Sequence, residues 1–98
     1  MAEPRLPGAD LIERGLIDLA RGVETPESLL VAIGAPRLRE LGVLVPAAAA
    51  LPPGPEHRLY DLLSRESVGR PHSEYNALVS RLVSYERALE REASRARR

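Results

Sequence analysis

Cysteine, lysine, tryptophan and phenylalanine are all missing from this 98-residue chain. Without cysteine there can be no disulfide and no thiolate metal ligand, and nothing calls for an oxidising compartment. Without Phe or Trp the core has to be aliphatic, and three tyrosines are the only aromatic rings. No apolar run nears the roughly eighteen residues of a membrane span. The opening MAEPRLPGAD carries acids and prolines where a signal peptide has a basic region and then an apolar one. A cytoplasmic protein with no membrane partner is the expectation.

Net charge is missing too. Fourteen arginines offset fourteen acids, so the chain as a whole exerts no electrostatic pull on nucleic acid or on a membrane. The halves differ mildly: residues 1–50 hold five arginines against seven acids, and residues 51–98 hold nine against seven. Arginine in place of lysine fits a GC-rich coding sequence as readily as it fits bidentate or stacked contacts. The signatures of catalysis are absent as well. Only His57 and His72 could serve as imidazoles, no HExxH spacing occurs, no serine sits in a nucleophile setting, and there is no glycine-rich phosphate loop. We therefore expect no enzyme, no metal and no cofactor.

What remains is a helical vocabulary. Leu, Ala, Arg and Glu are abundant, and β-branched and aromatic residues are few. The length suits one core. The fold class is all-α, a single compact bundle of four main helices near residues 10–21, 26–33, 56–67 and 72–92, with a short fifth near 36–41.

Residues 1–9 read as a loose arm. Asp10 stands before LIERGLIDLARG with Glu13 three residues on, an Asp version of the capping box. Ile12, Leu16, Leu19 and Val23, widened by Ile17 and Ala20, form the apolar stripe of the first helix. Arg14, Asp18 and Arg21 stand opposite, spaced for ion pairs, and Gly22 ends the helix. Gly15 inside it costs about 1 kcal/mol relative to Ala and can mark a close helix crossing. Thr25-Pro26-Glu27 restarts a helix with a cap, a proline at N1 and an acid at the positive end. Gly34-Ala35-Pro36 breaks that helix after Ile33, and Gly42 closes the next one. Val43-Leu44-Val45 reads as an extended connector, and residues 46–55 as a Pro/Ala-rich linker between two helical halves. Pro55 and Pro71 open the last two helices, with Arg70 or Ser73 capping the final one.

The longest uninterrupted pattern is Pro71 to Ala93. Tyr75, Leu78, Val79, Leu82, Val83, Tyr85 and Leu89 share one helical face, onto which the shorter helices or a second copy can pack. From it comes the leading functional expectation, a non-catalytic protein–protein interaction or assembly domain. It would self-associate as a homodimer through Tyr75, Leu78, Leu82, Tyr85 and Leu89, since tyrosines favour interfaces. Residues 94–98 read as a frayed basic tail.

Two alternatives stand beside it. ESLLVAIGAPRLRELGV has the order of a helix-turn-helix, with Arg37 and Arg39 near the start of its second helix. Those residues, or Arg91 and Arg95 with the other tail arginines Arg87, Arg97 and Arg98, would serve a nucleic-acid-binding regulator. Pro36, the shortness of the second helix and the net acidity of this half count against it. The cluster Arg70, His72, Asn76, with Ser73 and Glu74, surrounds a helix start. We read it as capping, with anion binding or a contribution to another protein's active site as the rival.

Overall fold

Helix α2 (Pro26–Glu40) is the element the others cover in the computed structural model, which describes residues 6–47, 50–66 and 69–96. Ser28, Leu29, Leu30, Val31, Ala32, Gly34, Ala35 and Leu38 are all buried. They are spread round most of the helix, as in a helix packed against three others. Around it pack α1 (Ala9–Ala20), α3 (Pro55–Glu66) and α4 (Pro71–Ala96), with α3 also meeting α4. The core joins Ile12 of α1, Leu29, Leu30, Val31 and Leu38 of α2, Leu59 and Leu63 of α3, and Leu82 of α4. Among the described residues the architecture is all-α, with no strand. The long last helix is one wall of this bundle and α2 is its axis.

Two glycines set how closely the walls approach. A Cβ on Gly15 would lie 2.3 Å from the Glu27 carbonyl oxygen and 2.5 Å from Val31 Cγ2, so the backbone of α1 crosses α2 against the Glu27 backbone and the Val31 side chain at that point. A Cβ on Gly34 would lie 2.8 Å from Leu82 Cδ1, so α4 crosses α2 there. Gly15 is the close crossing its cost implied.

The start of α2 is held by reciprocal bonds. Thr25 Oγ1 accepts from the Ser28 amide at 3.1 Å, and Ser28 Oγ accepts from the Thr25 amide at 2.8 Å. The Thr25 hydroxyl donates in turn to Asp18 Oδ2 at 2.7 Å. Asp18, expected on the solvent side, is buried, while Ile17 is 53% and Val23 46% exposed. The expected Arg14 partner is in place, 3.5 Å from Asp18. Removing the cap also takes the Thr25 hydroxyl away from the buried Asp18 Oδ2. Thr25→Ala should therefore cost about 1–2 kcal/mol, read as a lower urea midpoint at unchanged slope.

Two helix boundaries differ from the sequence expectation. Asp10 does not cap α1. Gly8, at φ 79°, is the N-cap, and Asp10 falls in the first turn, where a carboxylate still favours the positive helix end. Nor is there a separate helix over 36–41, because α2 runs through Gly34-Ala35-Pro36 to Glu40. Proline inside a helix forfeits one backbone bond and crowds the preceding turn, at about 3 kcal/mol. Full burial of Ala35 and Leu38 on either side of it opposes that cost, and Pro36 itself faces solvent.

Gly22 and Gly42 end α1 and α2 as the sequence indicates, at φ 70° and 91°. Each closes a Schellman turn: Val23 N–H bonds Asp18 O at 2.8 Å and Val43 N–H bonds Leu38 O at 2.9 Å. In the connector Val43 and Val45 pack on the core while Leu44 is 93% exposed. No described helix is long and apolar enough to cross a membrane.

Candidate functional site

The face of α4 expected to pair with a partner is turned into the chain's own core. Leu82 is buried, and Tyr75, Leu78, Tyr85 and Leu89 are partly buried against the core cluster. The five residues expected at a self-association face thus pack on the chain's own core, Leu82 wholly and the other four in part. Tyr75 meets Tyr60 of α3 with ring centroids 6.1 Å apart and planes tilted by 59°, a favourable aromatic arrangement. Tyr85 lies near Glu13 of α1, and burial, with that carboxylate adding to it, holds its phenol above the ordinary value.

The polar residues at the opening of α4 stay on the surface. Arg70, His72 and Asn76 are exposed. Asn76 Nδ2 lies 3.3 Å from His72 Nε2, and the Arg70 carbonyl accepts from the Glu74 amide at 3.2 Å. These contacts belong to a helix start.

Arg37 and Arg39 lie in the last turn of one continuous helix, and the turn that a helix-turn-helix needs between residues 33 and 37 does not exist. Arg37 is tied down: its guanidinium contacts Glu40 at 3.1 Å and Glu90 of α4 at 2.9 Å. Arg39 donates to the Pro46 carbonyl. Arg91 and Arg95 are exposed on the last turns of α4, which is helical to Ala96; Arg97 and Arg98 lie outside the described residues.

Glu86, on the inner side of α4, adds a third carboxylate near Arg37. Burial pushes its carboxyl above the ordinary 4.5, Arg37 pulls it down and Glu90 pushes it up. The folded state thus binds this proton more tightly than the unfolded chain does. Its contribution is present below the unfolded value and is lost as pH rises through the raised folded one. Glu86→Gln should flatten stability against pH in that weakly acidic window, by less than about 1 kcal/mol because solvent reaches the carboxyl. Denaturant melts from pH 4 to 7 check it, and an unchanged slope would refute it.

A groove that the sequence did not announce opens where the first turns of α1 and α2 meet the end of α3 and the first half of α4. Its volume is about 360 Å³. Leu11, Pro26, Leu63, Ala77 and Leu78 make an apolar floor, and Glu27, Glu66, Glu74 and Arg81 stand at the rim. Three carboxylates against one guanidinium give it an acidic edge. Comparison of the chain with family models, curated proteins and solved structures finds no match in any of the three.

Sequence reading missed the groove because its residues come from four helices with unrelated spacings. Ala77 was the one local signal, a small residue on the outer side of α4 where the inner side carries leucines and tyrosines. Arg58 was missed as well. It ties the start of α3 to the α1–α2 loop through Glu24 Oε1 at 3.0 Å and to the segment leading into α3 through the Pro53 carbonyl at 2.9 Å. Among the described residues no His, Asp and Glu cluster is placed to hold a metal ion.

Proposed function

We propose that this chain is a small non-catalytic interaction or assembly domain that engages a protein partner through the acidic-edged groove between α1, α2, α3 and α4. The observation that supports the reading is a surface groove in which exposed Ala77 and half-buried Leu11, Pro26 and Leu78 are edged by carboxylates. Covering Ala77 and the exposed parts of Leu11, Pro26 and Leu78 returns roughly 25 cal/mol for each Å² of apolar surface removed from water. The carboxylate rim would select the partner and orient it more than bind it.

A photo-crosslinking residue at Ala77, carried by the full chain in its native host, tests the reading. A discrete polypeptide adduct is expected from position 77 and none from position 56, which is exposed at the far end of α3. Absence of any adduct at 77 would overturn the proposal.

A further inference from the structure

We infer that the groove receives the arginine-bearing end of α4 from a second copy of this chain, two copies exchanging ends as an antiparallel pair. The inference rests on the reading above and names its partner. Three observations carry it, and the first is charge. Glu27 and Glu66 edge the groove, whereas residues 87–98 hold five arginines against two acids. Glu90 is engaged from outside this segment by Arg37 at 2.9 Å, and Glu92 lies 3.4 Å from Arg95 within it, so Arg87 and Arg91 carry most of the described basic strip. The second is exposure. Arg87, Arg91 and Arg95 follow one another at four-residue steps on exposed turns, so they form a strip along one side of the helix.

The third observation is distance. α4 has 26 residues against 12 to 15 in the other helices. Its basic end and the groove beside Ala77 are separated by about 24 Å along one axis, at 1.5 Å per residue. Two copies laid antiparallel therefore bring each basic end to the other's groove at once, and the contact closes as a twofold dimer rather than an open chain. Arginine suits both parts of the groove, since its methylene stem lies on an apolar floor while the guanidinium reaches a carboxylate at the rim.

Charge reversal tests this without disturbing the core. The chain, a groove variant with Glu27→Arg and Glu66→Arg, and a tail variant with Arg91→Glu and Arg95→Glu are compared by sedimentation equilibrium. The unaltered chain is expected to dimerise, with affinity falling about tenfold or more between low and high salt. Each variant alone should bind itself at least about a hundredfold more weakly, because like charges then face each other. An equimolar mixture should recover the dimer: one partner then offers a basic groove and basic tail, the other an acidic groove and acidic tail. That recovery also shows both variants are folded. An unaltered chain that remains monomeric to about millimolar concentration overturns the inference, as does a mixture that fails to associate when both variants melt normally. A monomeric chain whose position 77 still crosslinks to a different polypeptide removes the second copy as occupant and leaves the interaction-domain reading standing.

Discussion

Gly15→Val should remove about 3 kcal/mol or more of stability, enough to leave a domain of this size largely unfolded on mild warming. Local propensity argues the other way, since glycine inside a helix is worse than alanine by about 1 kcal/mol. The crossing decides the sign. A Cβ at position 15 would stand 2.3 Å from the Glu27 carbonyl oxygen and 2.8 Å from its carbon. Those are backbone atoms in the capped first turn of α2, so they cannot swing aside as a side chain would. Either α1 lifts away from α2, pulling Ile12 out of the core, or the Thr25 cap is broken. Gly15→Ala meets the same oxygen and should also destabilise, by about 1–2 kcal/mol. Gly22→Ala is the control: nothing stands within 4 Å of its Cβ position, and only the strain of its φ of 70° is incurred. Thermal melts followed by circular dichroism rank the three, and a Gly15→Ala variant more stable than the parent would refute the crossing.

The boundaries that were legible in the sequence are those fixed by chemistry within a few residues. Thr25-Pro26, Pro55 and Pro71 start helices, and Gly22 and Gly42 end them, because a cap, a missing amide or a left-handed turn is a local requirement. Position 36 was not legible. Read locally, Gly34-Ala35-Pro36 is a break, and only the burial of Ala35 and Leu38 among three other helices keeps the helix intact. The role of Gly34 was hidden likewise, since it is small because Leu82, distant in sequence, lies against it. Asp18 looked like a surface charge for the same reason. Its partner Thr25 lies seven residues on, across a turn that periodicity does not describe. The groove was least legible of all, because it is the space between four helices and belongs to none of their patterns. Periodicity did identify the inner face of α4, and it left open whether this chain or a second one would cover that face.

Leu82→Arg separates those two possibilities and has the other large effect. Leu82 is 4% exposed and its methyls fill the notch that Gly34 leaves in α2. Leu82→Ala would open a cavity there, at about 2–5 kcal/mol. Arginine is worse, because the longer side chain has no room against α2 and its charge would be buried beside leucines. The expected result is loss of the cooperative melt itself, with the helical signal reduced at room temperature. If α4 presented this face to a second copy instead, Leu82→Arg would leave a well-folded chain of half the mass, and the packing described for α2 and α4 would be refuted. The contrast with the tail variant makes the argument sharp: Arg91→Glu with Arg95→Glu should change the mass and spare the melt, whereas Leu82→Arg should destroy the melt. Those two outcomes together would assign one helix two separable roles along its length, an inner face that holds the fold and an outer basic end that serves assembly.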